Sequence, residues 1–158
     1  MVYGESRTAN RCVCREAISE SYRTRLGDPN YAYSLLKQYK GEWEFDTNWK
    51  MIFGHPKKAG WIKAIQEAQQ TVQKGLKLDC PILVMSSNKS FPETETWHEE
   101  YMTSDIVLDV QDIQKYGEKL GDKVTRDTIP NGIHDLILSQ KPYRNDAYQT
   151  IFEWLKKQ

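Results

Sequence analysis

The chain has few cysteines, no excess of either charge and no long apolar run. Its 158 residues include 3 cysteines, and 22 basic side chains balance 22 acidic ones. The longest apolar runs, such as Ile82 to Met85, are far shorter than the roughly 20 residues that span a bilayer. The first residues, with Glu5 and Arg7 among them, lack the apolar centre of a secretory signal. We therefore expect a soluble, cytoplasmic protein with no transmembrane segment and no nucleic-acid partner.

The cysteines are not arranged to hold a metal. Cys12 and Cys14 are too close together for the usual zinc-ribbon pair, and no second pair of cysteines or histidines follows at zinc-finger spacing. The odd number of cysteines argues against a disulfide framework. Cys80, which directly precedes an apolar run, is predicted to be a small buried apolar side chain. We expect neither a metal nor a cofactor.

Three regions differ in composition. Residues 1–25 show no clean periodicity and resist interpretation, whereas residues 26–58 combine many aromatics with turn formers, which is typical of an irregular, partly buried excursion that lies against something else. Residues 59–158 alternate between helical and strand patterns. The predicted elements are a helix over 59–74, a strand over 81–85, a polar loop or short helix over 86–103, a helix over 109–120, a strand over 123–129 and a helix over 142–156.

This alternation predicts an α/β fold with about two to three parallel strands flanked by helices. The run Pro81 to Met85 is apolar throughout, which is typical of a strand buried on both faces of a parallel sheet. Sheets of compact domains usually hold about five or six strands. Since only two strands are clear in the sequence, we expect the chain to be incomplete as a domain.

Two residues of this region carry the candidate chemistry. His134 follows Gly132 in a turn just after the second strand, and Asp105 stands at an earlier junction between a strand and a helix. The carboxyl ends of parallel strands meet at one edge of a sheet, so both side chains are expected there. An aspartate would then hold the imidazole in the tautomer that accepts a hydroxyl proton. Two structural alternatives remain open: His134 as a turn or capping residue, and Asp105 as a helix N-cap in competition with Asp109 and Asp112.

The stretch from about Tyr39 to the C-terminus resembles the C-terminal portion of the α/β-hydrolase superfamily, in particular its lysophospholipase, monoacylglycerol lipase and serine aminopeptidase group. The segments that carry the resemblance are 80–87, similar to the family's penultimate sheet strand, 104–109 and 132–136. The resemblance places the family's triad acid on Asp105 and its base on His134. It also implies that the aromatic segment corresponds to the family's cap.

The nucleophile of such a triad is missing from the sequence. No G-x-S-x-G turn, which presents the serine in this superfamily, occurs in the 158 residues. Ser6 follows Gly4 but lacks the second glycine, and a thiol nucleophile at Cys14 or Cys80 is a weaker alternative. The family's early strands and oxyanion-hole loop have no counterpart either, so we expect a truncated hydrolase that is inactive alone.

Two hypotheses follow from the sequence. In the first, the chain is the C-terminal portion of a serine hydrolase that acts, when complete, on a small-molecule ester or lipid, with an aminopeptidase-like activity as a variant. In the second, it is a hydrolase-derived interaction or structural module without catalysis. The oligomeric state is open under both hypotheses.

Overall fold

The computed structural model describes residues 29–54 and 58–158, so residues 1–25, Ser6 and Cys14 lie outside the described residues. Four helices and two strands form the framework. In chain order they are α1 (Asn30–Leu35), α2 (Ala59–Lys74), β1 (Ile82–Ser87), α3 (Val110–Gly117), β2 (Val124–Ile129) and α4 (Lys141–Leu155). Single helical turns of 3-10 type lie at Glu99–Met102, Glu118–Leu120 and Leu136–Leu138. The five predicted helices and strands after residue 58 are confirmed, with ends that differ by at most three residues.

The two strands pair in parallel to form a small sheet. Ile82 lies opposite Val124 and Ser87 opposite Ile129, and α3 makes the crossover between the strands and packs on β1. Parallel neighbours require such a crossover, which is why a helix separates the two apolar runs in the sequence. The described residues therefore form a partial α/β fold.

Helix α2 shows its apolar stripe to solvent. The stripe has the spacing expected for a face packed on a core, and the helix ends where Gly75 adopts a positive φ of 97°. However, no residue of α2 is buried, and Trp61, Ile62 and Ile65 are 54%, 42% and 39% exposed. The sequence predicted this helix correctly, but the described part of the chain provides no layer that covers it.

The burial predicted for several apolar residues is wrong. Residues 82–85 of β1 are only half-buried, because β2 is the one strand that pairs with β1 among the described residues. Phe152 and Leu155 of α4, predicted to point inward, are more than half exposed, whereas Ala147 is buried as predicted. Cys80 is also exposed, since it precedes a strand whose flanks are open. These apolar surfaces are therefore left open by the described part of the chain.

The well-packed core lies beyond the C-terminal ends of the two strands. Its largest buried apolar residues come from α1, from the loops after each strand and from the end of β2: Leu35, Leu36, Tyr101, Met102, Ile106, Ile129 and Ile133. Segment 29–54 contributes to this core through α1, which contacts the turn at Glu99–Met102. The most deeply buried apolar residues therefore surround the edge of the sheet on which Asp105 and His134 were predicted.

Two helical glycines should respond in opposite ways to replacement by alanine. A Cβ on Gly117 would lie 2.7 Å from Val84 Cγ1, so Gly117→Ala forces α3 away from β1 and should cost about 1–3 kcal/mol of unfolding free energy. A Cβ on Gly60 meets no atom within 4 Å, and Gly60→Ala should stabilise α2 by up to about 1 kcal/mol. Urea denaturation of both variants measures the difference. Equal effects of the two substitutions would contradict the described packing of α3.

Candidate functional site

Asp105 and His134 meet at the C-terminal edge of the parallel strands. The Nδ1 atom of His134 lies 2.9 Å from Oδ2 of Asp105. Asp105 is only 2% exposed, whereas the side chain of His134 keeps 27% of its surface open. The two residues that the sequence singled out, 29 positions apart, are thus in direct contact.

The loop after β1 holds Asp105 in place. The backbone of Asp105 pairs with residues 89–91. Asp105 N donates to Lys89 O at 3.0 Å, and Phe91 N donates to Asp105 O at 2.9 Å. Its Oδ1 accepts the backbone N–H groups of Val107 and Leu108, each at 2.8 Å. One carboxylate oxygen therefore closes a local turn and the other faces the imidazole.

Asp105 is not the N-cap of the following helix. Asp109 has that role, since its Oδ1 accepts the backbone N–H of Gln111 at 2.8 Å. Asp105 also does not end a strand that pairs with β2: among the described residues its only strand-like pairing is the single bridge with Ser90. It reaches the sheet edge from a loop, because the polar residues that follow β1 turn back along the end of the strand.

A tight turn after β2 places His134. Asn131 adopts a positive φ of 58°, and Gly132 N donates to Ile129 O at 3.0 Å. A Cβ on Gly132 would lie 2.6 Å from Leu136 Cδ2 and 3.2 Å from Ile129 O, so a side chain at this position would require the Leu136 side chain to move. The backbone N–H of Ile133 then donates to Ser139 Oγ at 3.0 Å, which fixes the chain directly before the histidine.

The electrostatics of the pair favour its charged form. Burial would raise the pKa of Asp105, but the hydrogen bonds from His134 and from the Leu108 and Val107 amides outweigh it and keep this pKa below its usual range. For His134, the hydrogen bond to Asp105 raises the pKa above its usual range against the opposing effect of burial. The imidazole is therefore a stronger base than a free histidine.

The contact also selects the tautomer of His134. An ionised carboxylate only accepts hydrogen bonds, so the neutral imidazole carries its proton on Nδ1 and has a lone pair on Nε2. No hydrogen bond to Nε2 is formed by residues 29–54 or 58–158. This nitrogen is a base oriented by a buried carboxylate, which is the arrangement that removes a proton from a nucleophile.

Three further residues surround His134, and the sequence did not identify them. The hydroxyl of Tyr31, in α1, and the Nζ of Lys50 both donate to Oδ2 of Asp135, at 2.5 and 2.7 Å. The ring of Tyr31 also meets the imidazole edge-on, with centroids 5.9 Å apart. Nothing in the local pattern around Tyr31 signals a partner 104 positions away. The side chains of Tyr31 and Lys50 bring segment 29–54 to the candidate site.

Among the described residues, neither a thiol nor a metal-binding cluster lies at this edge. Cys80 precedes β1, at the opposite end of a strand of 6 residues, and a strand of that length extends about 20 Å. In residues 29–54 and 58–158 there is no cluster of three or more histidine, cysteine or acidic side chains able to hold a metal ion. No helix in the same ranges has the length and apolar character needed to cross a membrane.

The described chain is a partial α/β layer with an aspartate–histidine pair at the carboxyl edge of its parallel strands. Comparison with protein-family models, with curated proteins and with solved structures found no match.

The stability of the chain should depend on pH through this pair. The pKa of His134 lies above its ordinary 6.5, so its contribution is complete below 6.5 and is lost as pH rises through the folded-state pKa. The pKa of Asp105 lies below its ordinary 3.8, so its contribution is complete above 3.8 and is lost as pH falls through the folded-state pKa. Thermal unfolding from pH 3 to 9, in about unit steps, should show that His134→Gln removes stability chiefly between these limits. An equal loss at every pH would contradict the ion pair.

Proposed function

We propose that the chain is the C-terminal portion of a serine hydrolase that cleaves esters, and that Asp105 and His134 are the acid and the base of its triad. The observation that carries the proposal is the contact of 2.9 Å between a buried carboxylate and an imidazole whose other nitrogen is free to act as a base. Its position at the carboxyl edge of parallel strands is the usual location of sites in α/β enzymes.

The reaction needs a serine supplied by a segment that these 158 residues do not include. As this serine attacks the ester carbonyl, Nε2 of His134 takes the hydroxyl proton and then gives it to the departing alcohol. Water cleaves the acyl-enzyme by the same transfers, with its proton passing through Nε2. Asp105 holds the imidazole and stabilises its positive charge throughout. Segment 29–54 would act as the cap over the substrate, a small-molecule ester or a lipid.

The open flanks of the fold support a missing partner layer. Helix α2 has an uncovered apolar stripe, and the residues of β1 are half-buried although their sequence is apolar on both faces. Burial of apolar surface contributes about 25 cal/mol per Å². A further part of the sheet would therefore gain considerable free energy by packing here.

The proposal is tested by reading the coding sequence directly upstream of Met1 and by assaying the 158-residue chain alone. We expect an in-frame G-x-S-x-G turn between an apolar strand and a helix upstream. The isolated chain should neither hydrolyse p-nitrophenyl esters nor bind a fluorophosphonate probe at a serine. Labelling of a serine in the isolated chain would contradict the proposed division of the triad, and an upstream sequence without such a turn would contradict the hydrolase itself.

A second candidate, a non-catalytic interaction module, is favoured by one observation. Trp61, Ile62 and Ile65 form an apolar surface on α2 that nothing covers in the described chain. Sedimentation of the isolated chain discriminates the two candidates. A defined oligomer that is lost in Ile62→Glu and retained in the control Gln66→Glu would favour the module, whereas a monomer would favour the hydrolase portion.

A further inference from the structure

A second carboxylate lies beside His134 and does not contact it by any hydrogen bond found in the structure. The Oδ2 atom of Asp135 instead accepts two hydrogen bonds, one from Tyr31 and one from Lys50. The two donors to this oxygen are 19 positions apart in the sequence, Tyr31 in a helix and Lys50 at the end of a turn. Together with Asp135 they form a network that spans 104 residues of the chain. The relay in the proposed function does not require this network.

The network ends on the imidazole through the ring of Tyr31. This ring and that of His134 have centroids 5.9 Å apart and planes inclined by 75°, which is a favourable edge-to-face arrangement. The Nζ atom of Lys50 also lies over the Tyr31 ring, 5.3 Å from its centre. The phenol is thus held by its hydroxyl, by a cation and by the imidazole, and it has little freedom to turn.

We propose that Tyr31, Lys50 and Asp135 form a clamp that positions the imidazole of His134 and fixes segment 29–54 to the site. All three are positioning residues, because they act on the substrate only through His134. Tyr31 restrains the ring from one side while Asp105 holds Nδ1 from the other. Lys50 neutralises Asp135, so that Asp105 is the one carboxylate that faces the imidazole without a cation of its own. This role rests on the proposed function.

The pKa shifts are in keeping with this geometry. Burial and then the hydrogen bond to Asp135 raise the pKa of Tyr31, so its hydroxyl stays protonated and remains a donor at neutral pH. Burial opposes ionisation of Asp135, but the hydrogen bonds from Lys50 and Tyr31 outweigh it and lower its pKa. The charged or titratable groups around the imidazole are therefore Asp105, Asp135, Lys50 and Tyr31, with Asp135 raising and Lys50 lowering the pKa of His134.

The clamp is tested in the 158-residue chain by NMR titration of His134, with histidine signals assigned by single substitutions. Lys50→Met should move the titration midpoint to higher pH, because Asp135 loses its cation, and Asp135→Asn should move it to lower pH. Lys50→Arg should restore the wild-type midpoint. Lys37→Met and Asp79→Asn, which break the exposed pairs Lys37–Glu44 and Lys123–Asp79, are matched controls that should leave it unchanged.

Two substitutions at Tyr31 separate the ring from its hydroxyl. Tyr31→Phe keeps the ring and should retain most of the ring-current shift on the imidazole protons, whereas Tyr31→Ala should abolish that shift. The control is Tyr39→Phe. Tyr39 is exposed, and its ring contacts the ring of Tyr33. The clamp would be overturned if the variants at positions 31, 50 and 135 kept the wild-type titration midpoint and imidazole shifts of His134. If Tyr31→Ala unfolds the chain, the test rests on Tyr31→Phe, Lys50→Met and Asp135→Asn.

The outcome is distinguishable from failure of the proposed function. The titration needs no nucleophile, so an upstream sequence without a G-x-S-x-G turn would overturn the hydrolase and leave the midpoints unaffected. Conversely, wild-type midpoints in all clamp variants would overturn the clamp while fluorophosphonate labelling of the complete enzyme continued. In that enzyme, Tyr31→Ala should lower kcat, because the imidazole is no longer held in position for proton transfer.

Discussion

Asp105→Asn should lower the kcat of the complete, serine-bearing enzyme that we propose about 10⁴-fold. The asparagine amide can donate to Nδ1 of His134, which leaves the proton of the neutral ring on Nε2. The imidazole then has no lone pair for the serine hydroxyl, although the fold and the hydrogen bond of the pair are kept. Initial rates of p-nitrophenyl ester hydrolysis measure the effect.

The matched control is Asp112→Asn, in the first turn of α3, where the carboxylate is exposed. It should leave kcat within about twofold, because a surface substitution remote from the imidazole changes little. A fall of less than about tenfold for Asp105→Asn would contradict the assignment, since orientation of the tautomer is worth far more than that. Variants should be compared below and above the pKa of His134, because protonation also removes the lone pair.

Tyr101→Ala should reduce the free energy of unfolding by about 3–5 kcal/mol. Tyr101 is fully buried, and the rings of Phe91, Trp97 and His98 surround it with centroids 5.4 to 5.7 Å from its own. Its hydroxyl accepts the backbone N–H of Thr94 at 2.8 Å and lies within hydrogen-bond distance of the carbonyls of Thr94 and Thr96. Truncation leaves a cavity and removes the hydroxyl from all three backbone groups.

Urea denaturation measures this effect, with Tyr39→Ala as the control because Tyr39 is 45% exposed. The control should cost less than about 1 kcal/mol, whereas Tyr101→Phe, which loses only the hydroxyl, should cost about 1–2 kcal/mol. Because domains are stable by about 5–15 kcal/mol, Tyr101→Ala removes a large part of the total. A loss below about 1 kcal/mol for Tyr101→Ala would contradict the position of the core beyond the strand ends.

The elements after residue 58 could be predicted because their patterns are local. The helix over 59–74 has one apolar stripe and a glycine stop, and β1 and β2 are short apolar or alternating runs between turn residues. The meeting of Asp105 with His134 was predictable for a topological reason, since the crossover through α3 brings both loops to one end of the sheet.

The remaining features depend on tertiary contacts that leave no local trace. Tyr31 is one of several aromatics between residues 26 and 58, and its position beside His134 follows from how α1 packs against the turn at 99–102. Burial was overestimated for β1, Phe152 and Leu155 because an apolar pattern leads to burial only where another element covers that face. Among the described residues, β1 has one neighbouring strand, and Phe152 and Leu155 stay more than half exposed.

The most direct measurement of the central claim is fluorophosphonate labelling of the polypeptide encoded together with its upstream sequence. The account predicts a probe adduct on the serine of the G-x-S-x-G turn, and a labelling rate reduced at least about 10³-fold by His134→Gln. His98→Gln, at the other histidine of residues 58–158, should label at the wild-type rate. Labelling that is independent of His134, or no labelled serine in the longer polypeptide, would contradict the account.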